Sequence, residues 1–191
     1  MSAFLDLVDR VQACRRCPAM EGRRRVLSTA NGPLDARVLF VAEAPGRLGG
    51  DRTGVPLTSD QTGRNFARLL AEAGLSREAV FVTNAVLCNP RSARGNNRPP
   101  TRREQRNCAE HLAAVLELVR APVVATLGTI ALRALTDLSL REVVARRLPW
   151  RGRVLFPLYH PGPRAQIHRP FAQQQADFRA LRDTIAGLRW A

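Results

Sequence analysis

The chain has 191 residues, 45% of them hydrophobic, which suits one globular domain spanning 1–191 with a substantial core. It has no N-terminal signal pattern and no apolar run of about 18 residues, so we expect a cytoplasmic protein with no membrane partner. Its 30 basic residues, all arginine, exceed its 16 acids and give a net charge of +14, which favours a polyanionic partner because arginine fits phosphate oxygens.

Short apolar runs rich in β-branched residues alternate with longer amphipathic runs, which is typical of βα units around a parallel sheet. Leu5, Val8 and Val11 indicate an amphipathic N-terminal helix. The predicted strands cover 37–42, 80–84, 122–127 and 153–159. The predicted longer helices cover 61–73, 101–119 and 170–188, and a short helix is predicted at 129–135. This order predicts an α/β fold with three α/β/α layers and a central, mostly parallel four-stranded sheet.

Capping signals support these helix boundaries. Thr101 with Glu104, and Ser139 with Glu142, each have the spacing of a capping box, in which side chain and backbone satisfy each other at a helix start. Gly74 stands where a helix that begins near residue 61 would end. We therefore predict helix starts at Thr101 and Ser139.

Glycines, prolines and polar side chains follow the predicted strands. Glu43 follows the first strand, Asn84 ends the second, Gly128 follows the third and His160 follows the fourth. Ligands of open parallel sheets bind at the carboxyl ends of the strands, so we expect one site at this edge.

The four cysteines are Cys14, Cys17, Cys88 and Cys108. In a cytosolic protein such a set favours metal ligation over disulfides, and four thiolates suit either zinc or an iron–sulfur cluster. Zinc sites usually repeat a close pair, whereas nineteen residues separate Cys88 from Cys108. This spacing favours iron–sulfur over zinc, and four unrelated buried thiols are the remaining alternative.

Taken together, the motifs resemble the iron–sulfur uracil-DNA glycosylases of families four and five. The resemblance covers nearly the whole chain and rests on Cys14-Arg15-Arg16-Cys17, on the segments 42–46, 52–60, 83–88 and 97–101, and on Tyr159-His160-Pro161. The segment around Glu43 is similar to family four, and the segment 49–63 is similar to family five. The resemblance implies a 4Fe-4S cluster, with zinc less favoured. It also implies hydrolysis of the N-glycosidic bond of uracil, or of a related deaminated base, flipped out of DNA.

The chemistry needs stabilisation of charge on a departing base and recognition of an extruded nucleotide. His160 is the candidate to hydrogen-bond the base oxygen, a role that the resemblance also implies. Asn84 offers the donor and acceptor that a pyrimidine edge requires, although it could instead satisfy a turn. Glu43 and Asp60 are the candidate catalytic carboxylates, and Asp60 could equally cap a helix. The predicted substrate-binding set is Ala44, Pro45, Gly46, Leu57 and Asn84.

We expect the partner to be DNA, as damaged duplex or single strand. We expect the protein to be a monomer. The predicted DNA-binding residues are Pro161, Gly162, Pro163 and Arg164, as a wedge, together with Arg98 and Arg102. An ordinary proline-rich turn is the alternative for the wedge.

Two positions depart from the resembling families. Leu57 replaces a phenylalanine that stacks on the extruded base, and Gly162 replaces a serine. These departures favour the alternative function, a catalytically silent iron–sulfur DNA-binding relative that recognises lesions.

Overall fold

A computed structural model describes residues 2–188, so Met1 and residues 189–191 of the predicted domain lie outside the described residues. Its centre is one five-stranded sheet with the order β2-β1-β3-β5-β4. The strands are β1 (Val38–Ala42), β2 (Val80–Asn84), β3 (Val123–Leu127), β4 (Leu148–Trp150) and β5 (Arg153–Leu158). β1, β2, β3 and β5 are parallel and match the four predicted strands, while β4 is antiparallel to β5. The predicted fold is confirmed, with β4 as an added edge strand.

Helices cover both faces of the sheet. They are α1 (Ser2–Gln12), α2 (Gly50–Thr53), α3 (Gln61–Glu72), α4 (Arg102–Leu118), α5 (Thr129–Arg133), α6 (Leu140–Val143) and α7 (Phe171–Ala186). Buried residues of α1, α4, α5 and α6 join the core on one face, and those of α3 and α7 join the core on the other. The three-layer prediction is therefore confirmed. Among the described residues, no helix combines the length and apolarity needed to cross a membrane.

Continuous burial explains why the parallel strands read as unbroken apolar runs. All five residues of β1 are buried, as are those of β2 and β3, because each strand is covered by helices on both faces. On one face, the ring of Phe40 lies 5.2 Å from that of Phe66 and 6.1 Å from that of Phe178, measured between centroids. These aromatic contacts hold α3 and α7 against β1.

The buried face of α1 differs from the predicted one. Phe4, Leu7 and Val11 are buried, whereas Leu5 is 44% exposed and Val8 is half-buried. Positions i, i+3 and i+7 share a helical face, and that spacing starts at Phe4. The helix prediction is correct, and the assignment of Leu5 to its apolar face is wrong.

Only one of the two predicted capping boxes forms. The Glu104 N–H donates to Thr101 Oγ1 at 3.2 Å, and the Thr101 N–H donates to Glu104 Oε2 at 2.7 Å. Ser139 occupies the N-cap of α6, but its side chain makes no capping hydrogen bond. The second capping box is therefore wrong, although the helix begins where predicted. Gly74 lies just beyond α3 with φ of +63°, as expected of a helix-ending glycine.

Both edges of the sheet are closed to further strands. At one edge, β4 has three residues with Pro149 in the middle, and proline has no N–H to donate. At the other edge, Asn31 Nδ2 donates to the Val82 carbonyl at 2.7 Å, and an Arg77 Nη1 donates to the Val80 carbonyl at 3.3 Å. Side chains thus occupy carbonyls that an added strand would need.

Candidate active site

A cavity of about 160 Å³ opens at the carboxyl ends of β1, β2 and β5. Nine of the predicted site residues line it: Glu43, Ala44, Pro45, Gly46, Leu57, Asp60, Asn84, Arg98 and His160. They come from five separate chain segments, which the parallel strands and their loops bring to one edge. The predicted convergence of the strand ends is thus observed.

His160 is held as a neutral imidazole. The Gly162 N–H donates to His160 Nδ1 at 3.0 Å, so Nδ1 is an acceptor and the ring proton of the neutral form belongs on Nε2. Burial among protein atoms lowers the pKa of His160 to about 4, against a smaller opposing effect of the Asp60 carboxylate. At neutral pH the side chain therefore offers an Nε2–H donor without positive charge.

Two glycines let the backbone pass close to this imidazole. A β-carbon at Gly162 would lie 2.8 Å from His160 Nδ1, and one at Gly128 would lie 3.3 Å from His160 Cβ. Gly128 also has φ of +96°, a conformation that glycine adopts without a steric cost. The glycine that replaces the family serine is thus packed against the ring and supplies its hydrogen bond.

Asn84 brings a buried amide to the cavity wall. The residue is 1% exposed, and its Nδ2 has no hydrogen-bond partner among the described residues. Leaving such a donor unpaired costs about 1–3 kcal/mol, so buried polar groups are nearly always paired. An orphan donor at a cavity wall indicates a group that a ligand would satisfy.

The two candidate carboxylates differ in their surroundings. Glu43 has no hydrogen-bond or ion-pair partner for its side chain among the described residues, and partial burial raises its pKa above the ordinary value of a glutamate. Asp60 Oδ1 accepts the Gly63 N–H at 2.8 Å and so caps α3. Asp60 Oδ2 lies close to the backbone at Gly46 and Gly49, where added β-carbons would stand 3.0 and 2.8 Å away. Asp60 therefore caps the helix and also lines the cavity.

Leu57 lines the cavity in a left-handed backbone conformation, with φ of +53°. This region is uncommon for a residue with a branched side chain, and it persists where the surrounding structure imposes it. Leu57 also packs against the core beside α3. The position that holds the stacking aromatic ring in the resembling families is therefore a well-packed aliphatic wall here.

Sequence reasoning missed a set of asparagines that hold the site. Asn89 is 1% exposed and donates from Nδ2 to the Pro45 carbonyl at 2.6 Å and to Asn97 Oδ1 at 3.0 Å. Asn65 donates to the Pro161 carbonyl at 2.8 Å and so anchors the loop after His160. Asparagine in a loop has too many local uses for its spacing alone to reveal these long-range contacts.

The arginines predicted to contact DNA fall into two groups. Arg98 binds Glu104 through two nitrogens, at 2.6 and 2.8 Å, and also donates to the Arg91 carbonyl. Arg91 is likewise engaged, with Asp51 and with the Asn89 side chain. Arg102 is exposed and lies outside the cavity. Most of the hydrogen-bond donors of Arg98 are thus used within the protein. The main partner, Glu104, is only six positions further along the chain.

The predicted wedge is only partly accessible. Pro161 and Gly162 are buried, whereas Pro163 and Arg164 are exposed at the start of a 3₁₀ turn, Pro163–Ile167. Ile167 at the end of that turn is 81% exposed, more than any other large apolar side chain of the described residues. Sequence patterns alone did not single it out, since nothing in its spacing marks it as unpacked.

The four cysteines converge on one small cavity beside α4. They line it together with Arg16, Met20, Arg25, Val86 and Asn107, so no carboxylate or imidazole of the described part of the chain borders it. Among the described residues, none of the four is joined in a disulfide. The Leu87 N–H lies 3.4 Å from Cys108 Sγ, and Asn107 Nδ2 lies 3.4 Å from Cys17 Sγ. This all-sulfur lining with N–H donors fits a soft metal centre.

The four thiols are also described by how closely metal ligands converge and by their pKa values. No three His, Cys, Asp or Glu side chains of the described residues converge closely enough to hold a single metal ion. Burial raises the pKa of Cys88 to about 12 and that of Cys108 to about 11, with the neighbouring thiols adding to the effect. A bound metal would have to displace these protons, since the thiolate is the ligand.

Known proteins resemble this chain over most of its length. The family model described as "Uracil DNA glycosylase superfamily" matches residues 29–185. A type-4 uracil-DNA glycosylase of Thermotoga maritima is 36% identical over 80% of this chain and 78% of its own length. A type-4 enzyme of Archaeoglobus fulgidus is 30% identical over 95% and 92%, and a type-5 enzyme of Thermus thermophilus is 33% identical over 82% and 81%. The chain belongs to the uracil-DNA glycosylase superfamily.

Proposed function

We propose that this protein is a DNA repair glycosylase that hydrolyses the N-glycosidic bond of uracil, or of a related deaminated base, flipped out of DNA. The observation that carries the proposal is that one cavity is lined by both a neutral His160 and the Asn84 amide, whose Nδ2 has no partner among the described residues. An enzyme with this activity works where the DNA is, at the cytoplasmic nucleoid.

His160 is the group that stabilises the departing base. Cleavage of the bond places negative charge on a base oxygen, and a fixed N–H donor in a dry site lowers the energy of that transition state. His160 can donate from Nε2 because the Gly162 N–H occupies Nδ1. A protonated imidazole would lose that acceptor, so the depressed pKa preserves the working geometry.

Asn84 recognises the edge of the base. A flipped pyrimidine presents both donors and acceptors, and an amide can pair with one of each. The Nδ2 group is already desolvated, so its hydrogen bond to a base carbonyl forms without a further loss of water.

Glu43 is the carboxylate that positions the attacking water. Its oxygens are free, whereas one oxygen of Asp60 is held by the start of α3. Asp60 supports the site by placing negative charge near His160 and the cationic sugar. Ala44, Pro45 and Gly46 form the wall between these carboxylates, and Asn89 holds that wall through the Pro45 carbonyl.

The exposed end of the 3₁₀ turn enters the DNA as the base leaves. Pro163, Arg164 and the apolar Ile167 are accessible there, and apolar side chains inserted between base steps unstack them. Pro161 and Gly162 are buried and support the turn from inside the protein.

Cys14, Cys17, Cys88 and Cys108 would hold a 4Fe-4S cluster, which the all-sulfur lining of their cavity and the resemblance to families four and five favour over zinc. When bound, the cluster would supply four metal–thiolate bonds that fasten the N-terminal segment to the loop after β2 and to α4. Anaerobically purified protein should contain iron and inorganic sulfide. Stoichiometric zinc without iron would contradict this assignment.

The activity can be tested with oligonucleotides that each carry one uracil, hypoxanthine, xanthine or thymine mismatch, followed by alkaline cleavage of abasic sites. His160→Ala should lower the single-turnover rate by roughly 10²–10³ with little change in DNA affinity. Leu57→Phe should raise uracil excision if the cavity takes a pyrimidine, and should obstruct a bulkier purine. A wild-type protein that binds these oligonucleotides and cleaves none would instead be the catalytically silent relative.

A further inference from the structure

A second, larger groove lies between α4 and α5, with a volume of about 580 Å³. Its floor is apolar, and its rim carries three arginines and one acid, Asp137. The residues that line it are Ala85, Arg102, Gln105, Arg106, Ala109, Leu112, Ile130, Arg133, Ala134 and Asp137. Of these, only Arg102 is among the DNA contacts predicted from the sequence.

The three arginines are available for a partner. Arg102, Arg106 and Arg133 are exposed, and none has a side-chain hydrogen bond or ion pair among the described residues. Arg91 and Arg98, by contrast, are committed to acids of the protein. The groove thus carries three guanidinium groups whose donors are free for a partner.

The groove begins next to the active-site cavity. Asn84 lines the cavity, and the following residue, Ala85, lines the groove. α4 and α5 both begin at the carboxyl edge of the sheet, where the cavity opens. Arg102 and Arg106 are four residues apart on α4 and so share one helical face.

We infer that this groove binds the phosphodiester backbone of the DNA strand as it continues from the extruded nucleotide. The inference rests on the proposed function and extends it to the path of the strand. Each guanidinium would pair with a phosphate oxygen through its planar fork, and the apolar floor would pack against deoxyribose. One acid on the rim leaves the groove strongly positive, which complements a polyanion and disfavours an apolar or cationic partner.

The test measures salt dependence of binding to an undamaged, fluorescein-labelled duplex by anisotropy. The test variant is R106Q/R133Q, and the matched control R120Q/R182Q removes the same charge. Arg120 lies beyond the end of α4 at the opposite edge of the sheet, and Arg182 lies on α7 across the sheet. Losing two phosphate contacts should make the slope of log K against log salt shallower by about 1.8, at roughly 0.9 per contact.

The control should keep the wild-type slope, and R106K/R133K should restore most of it, because lysine keeps the charge without the fork. Equal slopes for R106Q/R133Q and the control would overturn the inference. Uracil excision, measured at saturating enzyme, separates this result from the proposed function. If the wild type excises nothing but R106Q/R133Q still has a shallower slope, the inference about the groove is supported and the glycosylase proposal fails. If excision is normal and the slope of R106Q/R133Q is unchanged, the glycosylase proposal is supported and the inference about the groove fails.

Discussion

Replacing Asn84 should make the protein more stable and less active. Asn84→Leu keeps a branched side chain at the cavity wall but removes the buried Nδ2 donor that lacks a partner. Relief of that unpaired group is worth about 1–3 kcal/mol of unfolding free energy, and each kcal/mol raises the melting temperature of a domain of this size by about 2–4 °C. Uracil excision should fall by roughly 10²–10³, as when a single preorganised donor is lost.

Thr83 provides a matched control one residue earlier in β2. Its hydroxyl is also buried with no partner among residues 2–188, but alternation along the strand places it on the opposite face from Asn84. Thr83→Val is nearly isosteric, so it should raise the melting temperature and leave excision unchanged. Thermal unfolding and single-turnover excision would be measured for both variants. An Asn84→Leu protein that excises uracil as fast as Thr83→Val would refute the assignment of base recognition to this amide.

Three further outcomes are expected. In a pH–rate series, the excision rate should rise with pH through the raised pKa of Glu43, and Glu43→Gln should abolish that rise. No inflection should appear near pH 6.5, because His160 is already neutral above about pH 4. Gly162→Ala should slow excision by up to about 10², since its β-carbon would lie 2.8 Å from the imidazole and displace it, whereas Gly187→Ala, with ordinary contacts of 3.5 Å, should not; unchanged rates in both would refute this role. Arg98→Ala should lower the unfolding free energy by about 1.5–3 kcal/mol through loss of its ion pair with Glu104. If the variant is instead as stable as the wild type and its DNA binding depends less on salt, Arg98 is a phosphate contact.

The fold was largely predictable because its parallel strands are buried on both faces. Such strands read as continuous apolar runs, and β1, β2, β3 and β5 were all located from that pattern. β4 escaped because three residues with a central proline do not look like a strand, and only pairing with β5 makes them one.

The site was predictable in composition and less so in its connections. Polar residues at the strand ends pointed to His160 and Asn84, since parallel strands end at the same edge. No local pattern could show that Arg91 would pair with Asp51, forty positions earlier. Nor could it show that the Asn84 amide would be left without a partner, because that depends on every neighbour in the folded chain.

The closed sheet edges bear on how this protein behaves at high concentration. An open strand edge invites a second chain to extend the sheet, which leads to domain swapping or fibrillar aggregation. Pro149 interrupts one edge here, while the side chains of Asn31 and Arg77 occupy carbonyls of the other. Self-association by strand addition is thereby disfavoured. Macromolecular recognition is left to side chains at the carboxyl edge of the sheet, where it can be tuned by substitution without remodelling the backbone.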